Sequence, residues 1–362
     1  MQRILDPAQI EAFADRSVPR IRLPDPASLF ARRGQRLRAL AEGHGSRGSG
    51  DVPSGDRAVS DRAASDRAAS EGTPSGGEGT PSGGEGTPSG GDSLGDYLRL
   101  MSTLADRQQV AADTLRAALA AEQFAQQLGR QIELAHEHRM PLLQAAGWPR
   151  QERWRTILNE LCSSLASASG FPAGVRSVCE RIVASTPAEI ETQADMLLTA
   201  RTRGVEVPMA PFVMAALQVY WAAMASSLRT SDVTPIDVPG VCPMCGTLPV
   251  ASVVRSDKGA QGYRYLHCAL CATEWHMVRI TCSQCLANEG IVYHSIEGGS
   301  GAVRAEACGQ CHTYRKILYQ EKDMGVEPVA DDLASLALDL LMTEEGFHRG
   351  SGSPLLWQNT ET

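Results

Sequence analysis

The sequence predicts an α+β protein in which a mostly α-helical N-terminal domain precedes two tandem four-cysteine modules and a C-terminal helix. Three observations support this fold class. Apolar residues recur at helical spacing through most of residues 1–230, they alternate with polar residues from residue 241 onward, and four Cys-x-x-Cys motifs lie within 70 residues. With 362 residues, 43% of them hydrophobic, the chain is long enough for more than one domain with an ordinary core.

The N-terminal part consists of helical segments on both sides of a low-complexity stretch. Residues 1–42 form an N-terminal helical segment with a basic helix at about 27–42, and residues 43–93 hold hardly any large apolar side chain. Ser-Asp-Arg-Ala-Ala occurs twice in that stretch and Glu-Gly-Thr-Pro-Ser-Gly-Gly three times. Such a composition buries too little apolar surface to offset chain entropy, which predicts a disordered insert.

Residues 94–240 are predicted to form an α-helical domain, with helices at about 94–140, 151–168, 174–185, 187–202 and 209–228. The last helix raises the question of a membrane span, because residues 207–228 contain no charged side chain. Its large apolar residues fall on one stripe from Met209 to Leu228, and it contains Gln218. The stripe favours a buried amphipathic helix over membrane insertion, which needs about 20 predominantly apolar residues.

From residue 241 the chain is a tandem repeat. The spacing C-x2-C-x22-C-x2-C occurs twice at a constant offset of 40 residues. Knuckle, hairpin, knuckle and strand follow one another in each copy, an order typical of zinc ribbons and rubredoxins. The modules are predicted at 241–280 and 281–320, with strands at 248–255, 263–267, 275–280, 291–296, 303–307 and 314–319. Residues 321–362 hold the C-terminal helix and tail, with an apolar stripe of Val329, Leu333, Leu336, Ala337, Leu340 and Leu341.

Four thiolates from two such motifs make a tetrahedral site, so the repeat predicts two metal ions. The tandem arrangement favours sequential pairing over an interleaved cross-brace that would pair the first motif with the third. Zinc and a single iron both suit four thiolates, so the chemistry of the ligands leaves the metal open. The predicted ligands are Cys242, Cys245, Cys268 and Cys271 in the first site, and Cys282, Cys285, Cys308 and Cys311 in the second.

Three histidines beside the motifs and two cysteines in the helical part are further residues of metal-binding type. His267, His276 and His312 flank the motifs. We interpret them as surface residues of strands, although they are also placed to support the ligands or to replace one. Cys162 and Cys179 lie among apolar residues in helical patterns and are predicted to behave as small buried hydrophobes.

Charge and motif content argue against several classes of function. The net charge is -8, and residues 241–320 carry seven Lys and Arg against five acids, which is too few for a surface that follows phosphates. The chain has no glycine-rich phosphate loop, no G-x-S-x-G and no His-Glu-x-x-His. A site filled by four cysteines also has no open position for substrate, so no enzyme activity is predicted. The first 30 residues lack an apolar signal region, which predicts a cytoplasmic protein with reduced thiols.

Several stretches carry a family resemblance. They are Cys-Pro-Met-Cys-Gly at 242–246 with Pro249 and Val250, Tyr-Leu-His-Cys at 265–268 through Cys271, Glu-Trp-His at 274–276, residues 316–323 and 329–336, and upstream 36–42, 94–99 and 221–225. With these stretches the chain resembles the FdhE family of formate dehydrogenase accessory proteins over nearly its whole length. It departs from the family at residues 43–93, which look like an expanded loop between two helices.

The resemblance implies a cytoplasmic maturation factor for respiratory formate dehydrogenase. Its partner would be the catalytic subunit, which carries a molybdenum or tungsten pterin and an iron–sulfur cluster. The resemblance also implies rubredoxin-like sites associated with iron, with the eight cysteines as the only ligands and zinc as the alternative. Two other functions remain open: a redox protein that acts on the dehydrogenase cofactor, and a zinc-ribbon protein that binds nucleic acid.

Overall fold

The computed structural model describes residues 18–47, 92–201 and 203–357. The predicted fold class is confirmed, with helices in the N-terminal part, strands around the cysteine motifs and helices near the end. The helices are α1 (Leu29–Arg47), α2 (Ser93–Ala121), α3 (Phe124–Gln127), α4 (Gly129–His138), α5 (Arg153–Ala166), α6 (Ala173–Ala184), α7 (Pro187–Leu198), α8 (Ala210–Ser226), α9 (Pro328–Ala334) and α10 (Leu336–Glu344). The strands are β1 (Ile21–Arg22), β2 (Pro249–Val254), β3 (Arg264–Cys268), β4 (Glu274–His276), β5 (Ile291–His294), β6 (Val303–Cys308), β7 (Thr313–Tyr319) and β8 (His348–Arg349).

Helix α8 is the centre of the helical part. Every residue from 210 to 225 is buried, as predicted for this helix, but burial extends around the whole helix and is not confined to one stripe. The reason is its position, because α2, α5 and α7 all pack against it. Within the ranges that the structure describes, no helix combines the length and the apolar character that crossing a bilayer requires.

The helix predicted at 94–140 is three helices in the structure. Helix α2 ends at Ala121, and Gln123 has a left-handed backbone conformation that redirects the chain into α3 and α4. At the other end, the Asp92 side chain accepts a hydrogen bond from the N–H of Gly95 at 2.9 Å and fixes the first turn of α2.

Helix α1 continues to Arg47, a few residues into the predicted insert, and residues 48–91 lie outside the described part of the chain.

The two cysteine modules form one sheet. Its strands follow the order β1-β4-β3-β2-β7-β6-β5, and β8 adds to β7. We call β2, β3 and β4 with their cysteine motifs the first ribbon, and β5, β6 and β7 with theirs the second ribbon. The ribbons join where β2 pairs in parallel with β7, in a register that sets Val253 opposite Leu318. The outer strand of the first ribbon, β4, is covered by antiparallel pairing with β1.

The predicted C-terminal helix is broken at Ser335 into α9 and α10. Val329 and Leu333 pack in the main core, as the predicted stripe required. The stripe is wrong beyond the break, because Leu340 is 68% exposed and Leu341 45% exposed. After the change of direction, Leu338 and Met342 are the residues of α10 that pack against the second ribbon.

Two arginines of α1 bind to the C-terminal part of the fold. Arg33 is buried and pairs with Glu327 at 3.1 Å, and Arg36 pairs with Asp331 at 2.6 Å. Glu327 also caps α9 by accepting hydrogen bonds from the backbone N–H groups of its first turn. The basic helix seen in the sequence therefore connects the N-terminal segment to the C-terminal helices.

Candidate metal centres

The first ribbon brings together the four thiols predicted for the first site. All four sulfurs lie within 4.8 Å of one another, and all four residues are buried. Cys242 and Cys271 are 3.6 Å apart, and Cys245 and Cys268 are 3.4 Å apart, sulfur to sulfur. Burial, followed by the neighbouring thiols, raises the pKa of the Cys242 thiol. A bound metal ion would offset the free-energy cost of deprotonating this buried thiol, because the metal binds the thiolate form.

The second ribbon repeats this cluster with more exposure to solvent. Its four sulfurs also lie within 4.8 Å of one another, with Cys282 to Cys311 and Cys285 to Cys308 both at 3.7 Å. Cys285 is exposed. Both clusters combine the motifs in sequential pairs, as the tandem repeat predicted, and neither has the cross-braced arrangement.

The donor sets fit a tetrahedral metal. Four sulfurs around Zn²⁺ at about 2.3 Å are about 3.8 Å from one another, close to the spacing in both clusters. Iron and zinc both accept four thiolates, so the geometry suits either ion. Each cluster could hold one metal ion with every tetrahedral position taken by sulfur.

One backbone feature is shared by all four knuckles. The residue directly after the second cysteine has a positive φ in each, at Gly246, Ala272, Leu286 and His312. This turn aims backbone N–H groups at sulfur. Leu270 and Cys271 donate to the Cys268 sulfur at 3.3 and 3.4 Å. Gln284 and Cys285 donate in the same way to Cys282. Such bonds stabilise a thiolate, because they offset its negative charge.

Threonine hydroxyls are a second set of sulfur contacts, and the prediction missed them. Thr273 lies 3.2 Å from the Cys271 sulfur, and Thr313, at the matching position of the repeat, lies 2.9 Å from Cys311. Thr247 lies 3.2 Å from both Cys245 and Cys268. A signal was present in the sequence, since each threonine stands two residues after the second cysteine of its motif.

The first cluster is built into the helical domain. The loop before α5 donates two backbone hydrogen bonds to the first motif, from Leu143 to Met244 at 2.7 Å and from Ala145 to Cys245 at 2.9 Å. Gln218 of the central helix donates to the Ala269 carbonyl at 2.7 Å. The helical domain therefore helps to position both knuckles of the first site.

The three flanking histidines are not part of either cluster, and they differ from one another. His267 is 4% exposed, so its interpretation as a surface residue is wrong. Its Nδ1 lies 3.0 Å from Glu274, which also pairs with Arg255. Burial opposes ionisation of Glu274, but the charge of Arg255 and the hydrogen bond from His267 outweigh burial and hold its pKa well below the usual range. His276 is half-buried and His312 is exposed.

Cys162 and Cys179 lie outside both clusters. Both are fully buried in the helical core, as predicted.

Most of the positive charge counted in the ribbons is used within the fold. Arg264 and Glu306 form a buried pair at 2.9 Å that joins the first ribbon to the second. Lys316 pairs with Asp339 at 2.7 Å, and Arg315 donates to the Ser283 hydroxyl at 2.8 Å. Burial, with the charge of Arg264, lowers the pKa of Arg315 to about 10. Arg255 also pairs with Glu274. Four of the seven basic side chains of residues 241–320 therefore have internal partners.

Comparison with known proteins covers nearly all of the described chain. Family models described as FdhE, N-terminal, FdhE, central domain, and FdhE, C-terminal domain match residues 89–237, 241–279 and 280–356. The chain is 42% identical to a protein FdhE homolog of Cronobacter sakazakii and 41% identical to protein FdhE of Salmonella paratyphi A. Each match spans 265 residues, 73% of this chain and 82% of the relative.

A solved structure gives the same result. The crystal structure of the FdhE protein from Pseudomonas aeruginosa matches with a TM-score of 0.71 and 31% sequence identity, over 93% of this chain and 99% of that one. The helical body, the two four-cysteine clusters and the closing helices therefore have a counterpart of known family. The chain belongs to the FdhE family.

Proposed function

We propose that this protein is an accessory factor for the maturation of formate dehydrogenase in the cytoplasm, and that it acts by binding the catalytic subunit. The observation that carries the proposal is its membership of the FdhE family, which covers the helical body and both ribbons. The ligand chemistry agrees with a role other than catalysis, because a metal bound by four cysteines has no open position for a substrate.

We further propose that the eight cysteines hold two metal ions, with iron favoured and zinc as the alternative. The test is metal analysis and visible absorbance of protein purified without added metal and without oxygen. Iron predicts about two irons per chain and a thiolate-to-iron charge-transfer band on oxidation. About two zincs and no colour would contradict the iron assignment and leave the metals a structural role.

The second ribbon is the part we propose as the surface that binds the catalytic subunit. It exposes four large apolar side chains: Leu286, Val292, Tyr293 and Ile296. Its outer strand β5 is also the last strand of the sheet in the part of the chain that the structure describes. Exposed apolar side chains and an uncovered strand edge are both typical of binding surfaces.

Affinity capture tests this surface. In cells that express the dehydrogenase, the tagged protein should recover its catalytic subunit. Val292→Glu should reduce recovery by about tenfold or more, because burying an unpaired carboxylate in an apolar interface costs several kcal/mol. Val110→Glu, at a more exposed position on α2, is the matched control and should not change recovery. Equal recovery with both variants would contradict the proposed surface, and no recovery with the wild-type protein would contradict direct binding.

A redox role is the second candidate function. Exposure of Cys285 supports it, because a metal in the second ribbon would lie close to the surface, where electrons can pass to a bound partner. An iron-loaded second site that cycles reversibly between ferric and ferrous would support this role. Zinc in that site would exclude it, because Zn²⁺ does not change its oxidation state.

A further inference from the structure

The first metal centre has a hydroxyl contact that the second lacks. The Thr247 hydroxyl lies 3.2 Å from the sulfurs of both Cys245 and Cys268. The repeat, at its offset of 40 residues, has Ala287 at the equivalent position of the second ribbon. The two matching sulfurs there are 3.7 Å apart and have no hydroxyl contact within the described part of the chain. The first centre therefore has a hydroxyl where the second has only a methyl group.

The backbone is alike at these two positions. The Thr247 carbonyl accepts a hydrogen bond from the N–H of Cys242 at 2.9 Å, and the Ala287 carbonyl accepts one from Cys282 at 2.8 Å. The residue before each has a positive φ, 79° in the first ribbon and 64° in the second. The side chains of Thr247 and Ala287 therefore start from matching places beside their clusters, and the difference between them is chemical.

The Thr247 hydroxyl is the donor of its sulfur contacts when the centre holds a metal. A metal binds cysteine as thiolate, which has no proton to donate, so the proton of the contact comes from the threonine O–H. Among the residues that the structure describes, this hydroxyl has no acceptor other than the two sulfurs. Those sulfurs are 3.4 Å apart, close enough to share one donor.

Burial gives this hydrogen bond more weight in the first centre. All four cysteines of the first cluster are buried, whereas Cys285 of the second is exposed and can accept hydrogen bonds from water. A hydrogen bond is electrostatically stronger in the interior of a protein than in water. Thr247 therefore supplies, within the core, the kind of donor that solvent supplies at the surface of the second cluster.

We propose that Thr247 tunes the first metal centre, because its hydroxyl stabilises a divalent ion bound by the four buried thiolates. Reduction of ferric to ferrous iron adds one electron, and so one negative charge, without making or breaking a bond. Hydrogen bonds to the sulfurs favour the more negative state and thereby raise the reduction potential. This inference rests on the proposed metal content of the eight cysteines and adds to it a tuning residue that is not a ligand.

The test is a redox titration of the full-length, iron-loaded protein, with dithionite as reductant and ferricyanide as oxidant, followed through the thiolate-to-iron charge-transfer band. Thr247→Val nearly keeps the shape of the side chain and removes the hydroxyl. One of the two one-electron transitions should move to lower potential by about 59 mV, which is a tenfold change in the ratio of reduced to oxidised iron. A hydrogen bond to a charged group accounts for a factor of that order.

Two further variants separate tuning from packing. Thr247→Ser removes the methyl group but keeps the hydroxyl, so it should retain the potential of the wild-type protein. Ala287→Thr is the reciprocal change, and it should raise the potential of the transition that Thr247→Val leaves unmoved. A purely structural role of Thr247 would not produce this rise, because Ala287→Thr removes no contact of the first ribbon.

Three results would overturn the proposal: no shift in Thr247→Val, equal shifts in Thr247→Val and Thr247→Ser, or no rise in Ala287→Thr. Metal analysis comes before the titration, and protein that takes up only zinc would contradict the proposed iron rather than the role of Thr247. Competition with a chelator for zinc then gives the readout, because Zn²⁺ is also divalent. Thr247→Val should weaken one zinc site about tenfold and Thr247→Ser neither; equal affinity in all three proteins would overturn the proposal. The assay contains no formate dehydrogenase, so its outcome is independent of the proposed maturation function.

Discussion

The two ribbons have the same ligand spacing but different surroundings. In the first, four buried thiols lie against the helical domain, and β1 covers the outer strand. In the second, Cys285 is exposed and β5 is the outer strand of the sheet within the described residues. The difference shows that one repeated motif can lie in two different environments. The first site is part of the main core, whereas the second presents its cluster at the surface.

Removing one ligand from each site should give the largest difference between the ribbons. A structural metal contributes about 10 kcal/mol or more, comparable to the total stability of a domain, about 5 to 15 kcal/mol. Because Cys242 lies in the core shared with the helices, Cys242→Ser should unfold or aggregate much of the protein. Cys285→Ser should lose one metal ion and keep the helical circular dichroism signal. Metal analysis and thermal unfolding of both variants measure this difference.

Cys162→Ser is the control for the first substitution. It changes a buried helical cysteine outside both clusters and should retain both metals. If Cys285→Ser unfolded the protein as completely as Cys242→Ser, the second ribbon would be as much a part of the core as the first. Loss of both metals in the otherwise folded Cys285→Ser protein would contradict sequential pairing.

Chelation of the wild-type protein should give the next largest effect. A chelator reaches an exposed cluster without opening the fold, whereas the first cluster requires local unfolding of buried structure. We expect one metal to leave at least about tenfold faster than the other, and native mass spectrometry to show a one-metal species that accumulates. Alkylation of that species should label cysteines of the second ribbon. A single rate for both metals would mean that burial does not protect the first site.

The buried pair of Arg264 and Glu306 tests whether the ribbons are energetically coupled. Arg264→Met leaves Glu306 without its partner and should cost about 3 to 5 kcal/mol in the free energy of unfolding. The double variant Arg264→Met with Glu306→Leu should recover most of that loss. Urea unfolding of these two variants and of Glu306→Leu alone gives the coupling. If Arg264→Met costs less than about 1 kcal/mol, the typical value for a surface pair, the ribbons are not joined through this pair.

The same pair gives a pH dependence. Burial raises the pKa of Glu306 above its ordinary value of 4.5, although Arg264 and Arg315 act in the opposite direction. An acid whose pKa is raised on folding destabilises the fold as pH rises from the unfolded pKa to the folded one. Without Arg264 the pKa of Glu306 rises further. The loss of unfolding free energy caused by Arg264→Met should therefore be larger at neutral pH than near pH 4.5. A deficit independent of pH would contradict this assignment.

The sequence predicted local features better than long-range ones. The sequential cysteine sets and most strands follow from spacing and alternation over a few residues. The parallel pairing of Val253 with Leu318 depends on contacts between distant segments, so no local pattern signals it. Burial of His267 was missed for the same reason, because its partner Glu274, which also pairs with Arg255, is brought beside it by the pairing of β3 with β4. Leu340 is exposed although it belongs to the predicted apolar stripe. A stripe drawn for one continuous helix does not predict which residues are buried after the helix changes direction.

The knuckle turns give the smallest expected difference between the ribbons. The first ribbon has Gly246 where the second has Leu286, both at positive φ. A left-handed backbone costs a residue other than glycine about 1 to 2 kcal/mol, and Leu286 is 48% exposed, so its side chain returns little of that cost through packing. Leu286→Gly should therefore stabilise the metal-loaded protein by up to about 1 kcal/mol in urea unfolding. The entropy of glycine in the unfolded chain offsets part of the gain. Leu286→Ala keeps the backbone cost and should not stabilise. If both variants destabilise equally, the exposed leucine contributes a contact that outweighs the turn.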